Sequence, residues 1–175
     1  MTKTRFVTLL CATGLALTQA LPASAQTASG NIKGPNGADL GTLTVTSAPR
    51  GVLLHIEAKG LPPGWHAIHF HEKGDCSDLK FANAGGHVHG ATASVHGLLN
   101  PAATDGGDLS NIYVSPDGTA MVEIYSGLAT FKAVDARPSL MDADGSAIVI
   151  HANPDDYVTQ PIGGAGPRIA CAVIK

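Results

Sequence analysis

The sequence predicts an all-β chain folded as an antiparallel sandwich or flattened barrel with two long functional loops. Three observations carry this expectation. Apolar and polar residues alternate with period 2 in short runs, clusters of Gly, Pro, Asn and Asp separate those runs, and no segment sustains helical periodicity. Strands at this density and spacing build a sandwich or a barrel.

The N-terminal segment stands apart from the domain. Met1 to Ala25 reads as a secretory signal peptide, with Lys3 and Arg5 as its positive start, an apolar run from Phe6 to Leu21, and Ala23-Ser24-Ala25 as a small-x-small cleavage site. The apolar run is too short and too close to the cleavage site for a membrane span, so none is expected in the mature chain. Cys11 follows Leu10, not the small residue that precedes a lipidated cysteine. The folded domain is therefore expected at residues 26–175, in the periplasm or secreted.

Along that domain the strands fall at Leu40 to Thr46 (LGTLTVT), Val52 to Glu57 (VLLHIE), Ala67 to His71, Asn111 to Val114, Thr119 to Tyr125 (TAMVEIY), Ala147 to His151 and Ile169 to Ile174. Turn chemistry separates several of them, as in Gly34-Pro35-Asn36-Gly37, Pro49-Arg50-Gly51, Pro116-Asp117-Gly118 and Asp142-Ala143-Asp144-Gly145. Two stretches, Glu72 to Ser110 and Ala152 to Arg168, have no strand pattern. Loops this long are uncommon in a compact domain unless they carry function, and these hold most of the candidate chemistry. No internal repeat or low-complexity tract is present.

Charge narrows the partners. Without Lys3 and Arg5 the chain carries 9 basic and 14 acidic residues, a formal charge of −5 with His neutral, which argues against nucleic acid or an anionic membrane surface. Cleavage would leave two cysteines, Cys76 and Cys171, in a compartment where a disulfide persists. A disulfide and a pair of buried thiols both remain open from composition alone.

The chemistry lies in the histidines. In a strand, residues two apart face the same way, so His69 and His71 project from one surface and Phe70 from the other. Two neutral imidazoles on one face are half of a metal site. His66 stands at odd spacing and is read as structural; His55 is read as an ordinary surface or satisfied core residue. The run NAGGHVHGATASVH adds His87, His89 and His96, and TDGGDL adds Asp105 and Asp108, a nitrogen and oxygen mixture that suits zinc. His151 closes the apolar run AIVIH just before Asp155, but its place in the chain does not assign it.

Taken in order, GLPPGWHAIHFHEKGDC, NAGGHVHG, GDLSN, AIVIHANPDD and GGAGPRIACAVI resemble the copper/zinc superoxide dismutases of the exported bacterial kind, across nearly the whole mature chain. The resemblance implies a Greek-key β-barrel and dismutation of superoxide to dioxygen and hydrogen peroxide by redox-cycling copper beside zinc. It implies His69, His71, His87 and His151 as copper ligands, with His87 bridging to zinc and acting as the catalytic proton carrier. His96 and Asp108 match zinc ligands, Asp155 the carboxylate that orients one histidine of each metal, Cys76 and Cys171 the family disulfide, and Arg168 the guanidinium at the copper mouth.

The zinc set departs from the family pattern, because Asp105 stands where the third histidine is usual. Asp105 replaces it, His89 swings in as substitute, or zinc is held weakly or not at all. Ala67 and Ala172 also stand where the family prefers glycine, which bears on local backbone geometry. Other classes stay on the table: a protein that binds or delivers copper and zinc on the same scaffold without turnover, a blue-copper carrier, which would need a free thiolate, and an adhesion module with incidental histidines. Oligomeric state is open, a homodimer included.

Overall fold

The computed structural model describes residues 25–90 and 94–175, so the expected signal peptide lies outside the described residues apart from Ala25. Nine strands are present among them: β1 (Thr27–Lys33), β2 (Asp39–Ala48), β3 (Gly51–Ala58), β4 (Gly64–His66), β5 (Ile68–His71), β6 (Ile112–Val114), β7 (Ala120–Ser126), β8 (Ser146–His151) and β9 (Arg168–Ile174). Seven form an antiparallel sheet in the order β5-β8-β9-β1-β2-β3-β7, while β4 and β6 pair separately. The first three strands form a meander; β7 returns to the edge at β3, and β8 and β9 close on the other side of β1, which are Greek-key connections. The all-β expectation therefore holds, and no described helix is long and apolar enough to cross a membrane.

The alternation read from the sequence sets which side chains turn inward. Leu43 and Val45 of β2, Leu54 and Ile56 of β3, Phe70 of β5 and Ile148 and Ile150 of β8 share one core. Opposite parity puts Ala147, Val149 and Cys171 on the outer face of the sheet, in a second cluster with Phe81 and Ala84. The 72–110 loop folds over this outer face, and Cys76 is joined to Cys171. The disulfide thus ties that loop to β9.

Two strands lack a legible pattern. β1 buries Ala28, Gly30 and Ile32, and because two of the three are small the alternation leaves little hydropathy signal. β4 exposes Trp65 and buries His66, the reverse of the usual preference. The chain then changes sheet at Ala67, whose N–H donates to the Asn153 carbonyl and whose carbonyl accepts from the His151 N–H, both at 2.9 Å.

Candidate metal centre

β5 is an edge strand, and its free edge is where the site is assembled. An exposed edge leaves backbone groups unpaired, and here the 72–110 loop covers them. Phe70 N–H donates to the Gly107 carbonyl, Val88 N–H to the Phe70 carbonyl and Glu72 N–H to the Gly86 carbonyl, each at 2.9 Å. Bridges of His69 with Asp108 and of His71 with His87 follow from this docking. The loop side chains therefore arrive on the same outer face as His69 and His71.

The opposite neighbour of β5 is β8, whose parity places His151 with Ala147 and Val149 on that face. A register shift after Ile150 then pairs His151 with Arg168. His66 fits the structural reading: it is buried, and its ring nitrogens each lie 2.8 Å from a backbone carbonyl, those of His151 and Pro62. His55 is half-buried between Glu57 and Glu123.

Four rings converge. Centroids of His69 and His87 are 4.2 Å apart, His69 and His151 5.1 Å, His71 and His87 5.2 Å, and His71 and His151 5.8 Å. Each ring spends one nitrogen on an oxygen: His69 Nε2 on Asp155 Oδ2 (3.0 Å), His71 Nδ1 on the Gly85 carbonyl (3.0 Å), His151 Nδ1 on the Gly166 carbonyl (3.1 Å) and His87 Nδ1 on Asp105 Oδ2 (2.8 Å). The other nitrogen of each, His69 Nδ1, His71 Nε2, His87 Nε2 and His151 Nε2, is buried without a hydrogen-bond partner among the described residues. An unpaired buried polar atom costs about 1–3 kcal/mol, so four together are not a packing accident. A cation with imidazole preference fits this set, and copper is such a cation.

A second position adjoins the first. Its ligand-capable atoms are His87 Nδ1, His96 Nδ1, Asp108 Oδ1 and Asp105 Oδ2. Asp108 Oδ1 lies 2.6 Å from His96 Nδ1 and 3.7 Å from His87 Nδ1; Asp105 Oδ2 lies 2.8 Å from His87 Nδ1 and 3.8 Å from His96 Nδ1. Among the described residues, ligand-capable atoms within 4.8 Å of one another also group as His69, His71 and His151, and as His69, His87, His96 and Asp108. The second includes His69 because of its nearness, yet His69 Nε2 is engaged by Asp155, whereas Asp105 faces both ring nitrogens of this position. Two imidazoles and two carboxylates suit zinc. His89 does not join them: it is exposed, with Nε2 3.4 Å from Glu72 Oε2 and Nδ1 donating to the Gly90 carbonyl. The substitution of His89 for the missing histidine therefore fails on geometry.

Asp155 links the two positions, since its Oδ1 accepts from His96 Nε2 at 3.0 Å and its Oδ2 from His69 Nε2. Asn111 grips its backbone in turn: Nδ2 donates to the Asp155 carbonyl and Oδ1 accepts the Asp155 N–H, both at 2.9 Å. Asn111 was within reach of sequence reasoning, as the last residue of GDLSN. Gly163, at φ +60°, was not; a Cβ there would lie 1.6 Å from Asp155 Oδ1, so only glycine admits the carboxylate.

Electrostatics separates the two halves. Burial first, then the neighbouring His87 and Arg168 charges, pushes His71 down to about 2. Burial likewise pushes His151 down to about 3 and lowers His69 against the pull of Asp155. These rings stay neutral near pH 7, with the lone pair a metal needs. On the zinc side burial opposes charge, but hydrogen bonds to Asp105, Asp108 and Asp155 outweigh it and hold His96 up at about 11. His87 is raised in the same way by Asp105 and Asp108. Arg168 is half-buried beside the copper side, donating to the Phe81 and Gly85 carbonyls at 2.5 and 2.6 Å.

Fold and site together define a β-barrel metalloprotein with two adjoining metal positions. Residues 40–174 match the family described as copper/zinc superoxide dismutase (SODC). A relative named superoxide dismutase [Cu-Zn], from Caulobacter vibrioides, is 62% identical over 144 residues, covering 82% of this chain and 83% of that protein. Among solved structures, a SOD-like protein from Bacillus subtilis superposes with a TM-score of 0.76 at 32% identity, covering 84% of this chain and 97% of that one. The Cu/Zn superoxide dismutase from Brucella abortus gives 0.67 at 26% identity, covering 86% and 100%. The chain belongs to the copper/zinc superoxide dismutase family.

Proposed function

We propose that His69 Nδ1, His71 Nε2, His87 Nε2 and His151 Nε2 hold copper and that His87 Nδ1, His96 Nδ1, Asp105 and Asp108 hold zinc. The protein dismutates superoxide to dioxygen and hydrogen peroxide, with copper and zinc as its cofactors. The observation that supports the ligand assignment is the convergence of four buried ring nitrogens with no hydrogen-bond partner among the described residues. Copper supplies a one-electron couple, so that one superoxide is oxidised to dioxygen while a second, with two protons, is reduced to hydrogen peroxide.

The chain's own groups supply the rest. The carbonyls of Gly85 and Gly166 and the carboxylate of Asp155 fix three rings in the tautomer that leaves the inward nitrogen bare. His87 Nε2 is the atom that can take a proton and hand it to the second anion, because its Nδ1 is engaged on the zinc side. Arg168 is a fixed cation in a chain of negative net charge; its two carbonyl contacts orient it to draw and seat a small anion. Residues 1–25 serve as the signal peptide of a periplasmic or secreted domain spanning 26–175. A persisting disulfide supports an oxidising compartment.

Metal content measured alongside dismutase activity tests this reading. Roughly one copper and one zinc per chain are expected in the active protein. Asp105→Ala should lose zinc while keeping copper, and unchanged zinc in that variant would remove Asp105 from the ligand set. Copper binding without turnover in the wild type would restore the metal-delivery alternative.

A further inference from the structure

His96 is held at every polar atom, and half of that hold comes from a residue that no motif marks. Its ring nitrogens face Asp108 and Asp155. Its backbone belongs to no strand, so sheet hydrogen bonds do not satisfy it. Instead the Gln160 carboxamide pairs with both backbone groups. Oε1 accepts the His96 N–H at 3.0 Å, and Nε2 donates to the His96 carbonyl at 2.7 Å. Asn100 Nδ2 adds a bond to that carbonyl at 3.1 Å, but among the described residues only Gln160 accepts the His96 N–H.

Gln160 is itself presented by a tight turn. Asp156 Oδ1 accepts the N–H groups of Val158 and Thr159 at 2.9 and 2.7 Å, and Asp156 Oδ2 accepts the Thr159 hydroxyl at 2.5 Å. A second bond from Gln160 Nε2, to the Val158 carbonyl at 3.1 Å, fixes the amide plane. The 152–167 loop therefore reaches across 64 residues of sequence with a two-point clamp on the zinc-side histidine, while Asp155 of the same loop holds that histidine's ring.

We infer that Gln160 is a positioning residue that locks the backbone of His96 and so controls how firmly the second metal position keeps its zinc. The inference rests on His96 being a zinc ligand. For His96 to swing out, the two loops must part, and the clamp opposes that opening. Each net hydrogen bond is modest, so losing both is expected to speed zinc release about tenfold.

The test uses the full mature protein loaded with copper and zinc. Zinc release to a chromophoric chelator is timed for the wild type, Gln160→Met, which keeps the length without the amide, and Gln160→Glu, which keeps the acceptor for His96 N–H and loses the donor. Expected are release about tenfold faster in Gln160→Met and an intermediate rate in Gln160→Glu. With cobalt(II) in place of zinc, Gln160→Met should also show altered visible bands, a signature that general loop destabilisation would not give. His96→Ala separates the two layers. If it keeps its zinc, the ligand assignment itself is wrong; if it loses zinc while Gln160→Met releases at the wild-type rate with unchanged cobalt bands, the clamp is overturned and the assignment stands.

Discussion

Breaking the Cys76–Cys171 bond should cost the protein stability through its unfolded state. The bridge spans 95 residues of chain. In the chain-entropy description, closing a loop of that length removes freedom from the unfolded ensemble worth about 4.7 kcal/mol at 25 °C. Cys76→Ala is the mild perturbation: Cys76 is only partly buried, and the Cys171 thiol left behind sits among Phe81, Ala84, Ala147 and Val149 as a small apolar group. For a domain near 150 residues this should lower the melting temperature by roughly 10–20 °C. With urea sensitivities of about 2 kcal/mol/M, the midpoint should drop by about 2 M. The assay is equilibrium urea unfolding of metal-free protein in chelator, for wild type with and without reductant and for the variant. A loss below about 1 kcal/mol in both reduced wild type and variant would refute the entropic account. The bond has a local effect as well, because the loop it anchors carries Phe81 and Gly85, whose carbonyls hold Arg168, and Gly85 also accepts from His71.

Two further outcomes follow from the charges. Arg168→Ala should lower the steady-state rate by about tenfold and weaken its dependence on ionic strength, since the cation that draws the anion inward is gone; a salt series matching the wild type would take Arg168 out of the mechanism. Metal-free stability should peak near neutral pH. His71 and His151, lowered by burial to about 2 and about 3, contribute fully above their unfolded value of 6.5, and that contribution is lost as pH falls. His96, raised to about 11, contributes fully below 6.5 and loses its contribution as pH rises toward 11. Urea midpoints that climb steadily from pH 5 to pH 9 would contradict this assignment.

Much of the site was legible because period 2 is a local rule. His69 and His71 had to share a face with Phe70 opposite, and Phe70 is indeed in the core. The motif order assigned His87, His96, Asp108, Asp155 and Arg168 to one place by resemblance, and the structure brings them together. What stayed hidden depends on shape instead of hydropathy. Gly30 of β1 is read as nothing in a sequence, yet a Cβ there would meet the Val173 carbonyl at 2.2 Å, so its small size is what lets β9 lie close. His66 and Trp65 reverse the usual inside and outside because the His66 ring lies between the backbone carbonyls of His151 and Pro62, a contact between distant segments that hydropathy does not report.

By itself, then, the sequence determined the strands' alternation, the turns between them, the length and composition of the two loops, and the supply of imidazoles and carboxylates. Tertiary structure alone decided which of those groups meet. Asp105 rather than His89 faces the ring nitrogens of His87 and His96, Asp155 reaches both metal positions from 86 residues beyond His69, and Gln160 clamps His96 from the far loop. Ladder periodicity is set by neighbouring residues, whereas these meetings depend on where a loop docks along a sheet edge, and that docking is fixed by contacts between segments far apart in the chain.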